Sequence, residues 1–162
     1  MGKTFSKKEK KKIKDSLVIF LSTSFLTGYA PSFPGTIGAL LAIPFFILLG
    51  RNPRFFLSFT LLVIFLSFFI IKAAEKTLGE DSQRINLDEF SGMLVTYLFL
   101  KPSFLAVITG FLFFRIFDIH KFPPINIFER IKNGGVLLDD LIAGGMANIA
   151  TRIFLGVTEW PG

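Results

Sequence analysis

Acidic residues occur at three boundaries between apolar and polar sequence. They are Asp88 with Glu89, then Asp118, and finally Asp139 with Asp140. Charged groups are costly next to apolar surface, so acids at such boundaries indicate functional positions. Hard oxygen ligands from several helices suit Mg²⁺, and this ion can polarise a phosphoryl oxygen and activate a water molecule. The pattern therefore predicts metal-assisted hydrolysis of a phosphate ester.

Each acid pair also has a purely structural explanation. An acidic side chain at a helix N-cap accepts hydrogen bonds from unpaired backbone N–H groups and offsets the helix dipole. Small residues follow each pair, and they are Gly92, Ala143, Gly144 and Gly145. Small residues allow helices to approach closely, so packing at these positions would bring the acids together.

Three further residues are candidates for binding a phosphate group. Arg115 lies on the same helical face as Asp118, so it either holds phosphate oxygens or pairs with Asp118 and orients it. Lys121 is the second cationic candidate. Thr36 belongs to a Pro-Gly-Thr-Ile-Gly segment before a helix, which is either a phosphate cradle of backbone N–H groups or a plain turn with Thr36 as N-cap. The single histidine, His120, is interpreted as an interfacial side chain rather than a catalyst.

Missing residue types exclude several kinds of phosphatase. The chain has no Cys and one His, which excludes cysteine-based and histidine-paired chemistry. It also contains no Asp-x-Asp motif and no Gly-x-x-x-x-Gly-Lys phosphate loop. The carboxylates are therefore the strongest candidates for catalysis.

The elements that must position these groups are apolar helices. Hydrophobic residues make up 51% of the 162 residues, and 22 residues are Phe. Residues 16–50 and 55–71 contain no charge, and the second stretch reaches the minimum of about 17 residues that can cross a bilayer. The pattern predicts helices at 17–27, 36–49, 54–71, 88–100, 103–118 and 139–157, an extension of the third helix over 72–78, and polar loops at 28–35, 79–87 and 119–138.

These elements predict an all-α fold, a compact integral-membrane bundle of about five to six helices with short or re-entrant elements. We expect residues 1–15 to form a basic cytoplasmic tail and residues 16–162 to form a single membrane-embedded phosphatase domain. Seven lysines against two acids give the tail +5 of the total charge of +6. The tail either binds anionic lipid or only sets topology. Nucleic acid is not an expected partner, because the basic run has no interleaved aromatic residues.

A topology with crossings at 36–50, 54–71, 88–100, 103–118 and 139–157 agrees with the distribution of positive charge. It places fourteen of the eighteen Lys and Arg residues on the cytoplasmic side, as the positive-inside rule requires. It also brings Thr36 and all five acids to that same membrane face. We therefore expect the active site at the cytoplasmic face.

Four motifs, in order, resemble the phosphatidylglycerophosphatase A family over roughly residues 20–157. They are Pro31-Ser32-Phe33-Pro34-Gly35-Thr36-Ile37-Gly38, Leu87-Asp88-Glu89-Phe90-Ser91-Gly92-Met93, Phe114-Arg115-Ile116-Phe117-Asp118 with Lys121 and Pro124, and Gly135-Val136-Leu137-Leu138-Asp139-Asp140-Leu141-Ile142-Ala143-Gly144. The resemblance implies a compact all-helical, Mg²⁺-dependent hydrolase of the bacterial inner membrane. Its substrate would be phosphatidylglycerophosphate, which it converts to phosphatidylglycerol and phosphate.

On this interpretation the family's acidic positions correspond to the five acids described above. Glu89, Asp139 and Asp140 would bind Mg²⁺, with Asp88 as a further ligand or cap. Asp118 would be a ligand or the base for the attacking water. Thr36, Arg115 and Lys121 would hold the phosphate.

Two other classes of protein remain open from the sequence. A small transporter or ion-binding membrane protein also gathers acids within the membrane, but its acids should lie near helix centres rather than ends. A non-catalytic membrane scaffold would use the lysine tail as its main surface. Deletion of residues 1–14 would then abolish function, whereas an enzyme would keep most of its turnover.

Overall fold

The structure is a computed structural model that describes residues 6–80, 82–120 and 135–158. Within these ranges the chain is all-α, as predicted, with six helices, one 3-10 turn at Thr27–Tyr29 and no strand. The helices are α1 (Lys7–Ser22), α2 (Pro34–Leu49), α3 (Pro53–Leu78), α4 (Leu87–Thr96), α5 (Phe104–His120) and α6 (Gly135–Thr158).

The shortest helix, α4, lies at the centre and packs against α2, α3, α5 and α6. Eight of its ten residues are buried, so it forms the core around which the other helices are arranged. Its crossing with α6 is close, since a Cβ at Gly144 would lie 2.2 Å from the Gly92 carbonyl oxygen. The close approach predicted at the small residues is therefore confirmed at Gly92 and Gly144. It is wrong at Gly145, where an added Cβ would meet no atom within 4 Å.

The described part of the basic segment is helical and continuous with the apolar residues that follow it. α1 begins at Lys7, well before the predicted start at residue 17, because Ser6 and Glu9 form a reciprocal capping box. It ends at Ser22, earlier than predicted, and residues 24–26 then adopt left-handed backbone conformations. This turn directs the chain into the 3-10 segment and α2.

The end of α4 is fixed by α6. Asn148 Nδ2 donates hydrogen bonds to the carbonyl oxygens of Thr96 (2.7 Å) and Leu98 (2.9 Å). Arg152 also donates to the Leu98 carbonyl oxygen, at 2.8 Å. These side chains satisfy carbonyl groups that a longer helix would have paired internally, so α4 is shorter than the predicted helix at 88–100.

α3 is the one helix in the described ranges that is long and apolar enough to cross a membrane. Its 26 residues span about 39 Å at about 1.5 Å per residue, against a hydrocarbon core of about 30 Å. Only 22% of its most apolar stretch is buried, so it is not an enclosed core helix. α4 is about 15 Å long and is too short to cross alone, so the predicted crossing at 88–100 is not supported.

Candidate functional site

A cavity of about 420 Å³ lies where the beginnings of α4 and α6 meet the ends of α3 and α5. We term it the acid cavity. Its lining in the described ranges is Ile71, Glu75, Ser82, Gln83, Ile85, Asp88, Glu89, Asp118, Val136, Asp139 and Asp140. All five acids selected from the sequence therefore line one cavity. Sequence reasoning missed Glu75, although it is the only acid of α3 and lies one helical turn after Ile71.

The first turn of α4 supplies two of these acids. The N-cap is Asn86 rather than Asp88. Asp88 is buried, and its Oδ1 accepts a hydrogen bond from the Glu89 N–H at 3.1 Å. Glu89 Oε2 is buried without a hydrogen-bond partner among the described residues. Helix capping therefore does not explain Glu89, because a buried carboxylate oxygen needs a proton or a cation to offset its desolvation.

Two further acids come from α6. This helix begins at Gly135, before the predicted start at residue 139, so no acid lies in its first turn. The N-cap explanation is therefore wrong for Asp139 and Asp140. Asp140 contributes one oxygen to a group, shared with Asp88 and Glu89, in which the three oxygens lie within 4.8 Å of one another. Asp139 is buried and lines the cavity outside this group.

The two consecutive pairs contribute differently to this oxygen group. On α6 it takes Asp140 and not Asp139, although both were proposed as ligands. On α4 both Asp88 and Glu89 belong to the group. Asp88 and Glu89 can both contribute because they lie in the first turn of α4, which borders the acid cavity.

Asp118 reaches the acid cavity from the last turn of α5. Arg115 forms an ion pair with Asp118 and is not among the described lining residues. Of the two roles predicted for Arg115, the structure therefore supports the pairing and orientation of Asp118. His120 is exposed, with Nδ1 3.0 Å from the Ile116 carbonyl oxygen. Lys121 lies outside the residues that the structure describes.

Asn86, which sequence reasoning did not select, links four elements at this site. It is fully buried, and its Nδ2 donates to Thr27 Oγ1 (3.0 Å) and to the Pro34 carbonyl oxygen (2.9 Å). Its backbone N–H donates to Ser22 O at 3.1 Å, and its carbonyl oxygen accepts from Ser24 Oγ at 3.2 Å. These bonds tie α1, the 3-10 turn and α2 to the acidic first turn of α4. The only sequence signal was an Asn just before the Leu-Asp-Glu run.

The start of α2 lies against Glu89. α2 begins at Pro34, with Phe33 as N-cap in a left-handed conformation (φ 52°) and no side-chain cap. Thr36 is thus the third helical residue, and its predicted alternative role as N-cap is wrong. A Cβ at Gly35 would lie 2.1 Å from Glu89 Oε1, so a larger residue here would displace the Glu89 carboxylate. The first N–H groups of a helix have no intrahelical partner, and the second residue of this helix, Gly35, lies beside Glu89, which lines the acid cavity.

The electrostatics of the acid cavity disfavour ionised carboxylates when no cation is bound. Burial raises the pKa of Asp88. Burial, followed by the charge of Asp88, raises the pKa of both Glu89 and Asp140 well above its usual range, and Asp118 adds to the effect. A positive ion among these oxygens would reverse the shift, because an opposite charge stabilises the ionised form.

The donor set also fits Mg²⁺. This ion binds carboxylate oxygens at about 2.1 Å, so two oxygens on opposite sides of it lie about 4.2 Å apart. The oxygens of Asp88, Glu89 and Asp140 lie within 4.8 Å of one another. Small side-chain rotations would bring these oxygens to the separations that Mg²⁺ requires. Glu89 Oε2, which has no hydrogen-bond partner among the described residues, is available as a ligand atom.

The fold and the cavity thus define a small all-α protein with a buried multi-carboxylate site, next to a helix able to cross a membrane. The sequence pattern of the phosphatidylglycerophosphatase A family matches residues 20–155. The chain belongs to this family, and it is a phosphatase.

Individual relatives agree with this assignment. The chain is 34% identical to phosphatidylglycerophosphatase A of Escherichia coli K12 over 146 residues, which cover 87% of this chain and 84% of the relative. It is 35% identical, over 89% of its length and 94% of the relative, to a Bacteroides thetaiotaomicron protein with the provisional name of phosphatidylinositol-3-phosphatase. It is 33% identical to phosphatidylglycerophosphatase A of Haemophilus influenzae, over 86% of this chain and 88% of the relative. No solved structure matches it significantly.

Proposed function

We propose that the protein hydrolyses the phosphomonoester of phosphatidylglycerophosphate, with Mg²⁺, to give phosphatidylglycerol and inorganic phosphate in phospholipid biosynthesis. The observation that carries this proposal is the meeting of carboxyls from α4, α5 and α6 in one cavity. Family membership supports it, and two relatives are named for this substrate.

Asp88, Glu89 and Asp140 would hold Mg²⁺, with Asp139 beside them as a further candidate ligand. When bound, the ion would supply positive charge that stabilises the phosphoryl oxygens as the ester bond breaks. The protein's contribution is to keep these carboxylates close together and largely shielded from water. Such preorganisation avoids the cost of gathering like charges during the reaction.

The remaining residues would position water and substrate. In an in-line attack, the water oxygen bonds to phosphorus as the bond from phosphorus to the ester oxygen breaks, and Asp118 accepts the proton of the water. The leaving oxygen takes up a proton from solvent to give the alcohol of phosphatidylglycerol, and Asp118 releases its proton to solvent. Arg115 would orient Asp118 through their ion pair. Alternatively, Asp118 would be a further cation ligand. Thr36 and Lys121 are proposed to bind the phosphate group.

We further propose a multi-pass protein of the bacterial inner membrane, with α3 in the bilayer and the acid cavity at the cytoplasmic face. The exposed apolar side chains of α3 support this placement, as does Phe104 of α5, which is 81% exposed. Ile71 and Glu75 line the cavity where the apolar part of α3 gives way to Lys72 and Lys76. A lipid phosphate would meet the acids at headgroup depth.

A second candidate substrate is phosphatidylinositol 3-phosphate, because the Bacteroides relative is named for it. Both lipids present a phosphomonoester on a polar headgroup, so the acid cavity alone does not choose between them. A transporter is the less favoured class, because the acids lie at helix ends around a closed group rather than along a path.

The proposal is tested by phosphate release from each lipid in vesicles, with Mg²⁺ and with EDTA. We expect faster release from phosphatidylglycerophosphate and none with EDTA. Glu89→Gln should lower turnover at least about 100-fold, as expected for loss of a charge-stabilising group. Glu80→Gln is the matched control, since Glu80 is exposed and outside the cavity. Wild-type turnover in folded Glu89→Gln and Asp140→Asn would refute the assignment of these acids to the active site. Faster phosphate release from phosphatidylinositol 3-phosphate would show that this lipid, and not phosphatidylglycerophosphate, is the preferred substrate.

A further inference from the structure

A second cavity of about 210 Å³ lies between α1, α2, α3 and α4. We term it the apolar groove. Its surface is entirely apolar, and its lining includes Leu21, Phe45, Phe59, Val63, Leu66 and Ile70. The hydroxyl of Ser67, which also lines it, is hydrogen-bonded to Ser91 Oγ at 3.0 Å. A groove of this kind has no group that would select a polar ligand.

The apolar groove and the acid cavity share their walls. On α4, Leu87 lines the groove, whereas the next residue, Asp88, lines the acid cavity. On α3, Ile70 lines the groove, and its neighbour Ile71 lines the acid cavity. Consecutive residues on two helices therefore line different cavities, and the two cavities adjoin.

The dimensions match one leaflet of a bilayer. Phe59 and Ile70 mark the ends of the groove on α3, and the helix rises about 17 Å between them. Half of a hydrocarbon core of about 30 Å is about 15 Å. The groove thus runs along the most apolar part of α3, while the acid cavity lies at its charged end.

We propose that the apolar groove binds one acyl chain of the same phospholipid whose phosphate enters the acid cavity. This inference rests on the proposed function and adds a binding site for the substrate's lipid portion. The bound acyl chain would hold the lipid headgroup beside the carboxylates, so substrate recognition would depend on the lipid portion as well as on the phosphate. Bulk membrane lipid is the competing occupant, and it would show no preference for a phosphomonoester.

The test is photolabelling of the full-length protein in phosphatidylcholine vesicles. Phosphatidylglycerophosphate with a diazirine on one acyl chain is compared with phosphatidylcholine that carries the same chain, and labelled residues are mapped by mass spectrometry. We expect the phosphomonoester lipid to label residues 59–70 several-fold more strongly. Equal labelling by the two lipids would show that bulk lipid fills the groove and would overturn the proposal.

Two tryptophan variants provide the matched comparison. Leu66→Trp would narrow the groove, whereas Leu61→Trp changes another exposed leucine of α3 that does not line it. We expect Leu66→Trp alone to reduce labelling of the groove several-fold and to raise KM for the long-chain lipid. Equal effects in both variants would overturn the proposal.

Phosphate release from the wild type separates the two hypotheses. Phosphate release without preferential labelling would overturn the proposal that the apolar groove binds the substrate's acyl chain, and it would leave the proposed function intact. Preferential labelling without release would overturn the proposed function and support the groove as a site for phosphorylated lipid.

Discussion

Replacing Gly144 with alanine would test whether the crossing of α4 and α6 positions the acids. The new Cβ would lie 2.2 Å from the Gly92 carbonyl oxygen, whereas an ordinary contact begins at 3.4 Å. The helices would therefore have to separate by about 1 Å, at a cost of about 1–3 kcal/mol for overpacking. Because Asp140 is on α6 and its partners are on α4, this movement would open the oxygen group. A misplacement of about 1 Å costs about 100-fold in rate, so we expect kcat to fall by about that factor.

Gly145→Ala is the control for this experiment. A Cβ at Gly145 would meet no atom within 4 Å, so the substitution should only improve helix propensity, by about 0.5–1 kcal/mol. Phosphate release and the free energy of unfolding in detergent are measured for both variants. Equal kcat in folded Gly144→Ala and Gly145→Ala would refute the idea that this crossing sets the site geometry.

Three further predictions concern the groups around the acid cavity. Asn86→Ala should lower the free energy of unfolding by about 1–3 kcal/mol, because the Pro34 carbonyl oxygen loses its donor in a partly buried setting. Arg115→Met should lower kcat about 10- to 100-fold with KM unchanged, because Arg115 acts through Asp118. Mg²⁺ at 100 times its Kd should stabilise the wild type by about 2.7 kcal/mol, as measured by thermal unfolding, and should not stabilise Asp140→Asn.

Each of these predictions has a contradicting result. If Asn86→Ala is as stable as the wild type, the hydrogen bonds of Asn86 do not stabilise the packing of α1 and α2 against α4. An increase in KM with unchanged kcat in Arg115→Met would show that Arg115 binds the phosphate directly. Equal stabilisation of the wild type and Asp140→Asn by Mg²⁺ would exclude Asp140 as a ligand.

The convergence of the acids could be predicted because their positions carry local signals. Asp88, Asp118 and Asp139 mark three boundaries of apolar sequence, and small residues after two of them indicated close packing. The glycines that allow this packing, Gly92 and Gly144, were also visible in the sequence. These features depend on neighbours along the chain, which a single sequence displays.

Other features could not be predicted, because distant residues determine them. α4 ends early because Asn148, on another helix, takes over the carbonyl groups that follow it. Asn86 acquires its role from partners on α1 and α2, far away in the sequence. Which carboxylates face inward depends on the position of each helix start. That position was misjudged for α6, whose first turn comes before Asp139.

The most direct test is the location of a bound divalent ion in crystals of the full chain, by anomalous scattering from Mn²⁺ in place of Mg²⁺. The proposed site predicts a peak in the acid cavity, within about 2.2 Å of oxygens from Asp88, Glu89 and Asp140. The peak should disappear in Asp140→Asn crystals. An ion bound away from the acid cavity, or a peak that persists in Asp140→Asn, would contradict a cation site built by α4 and α6.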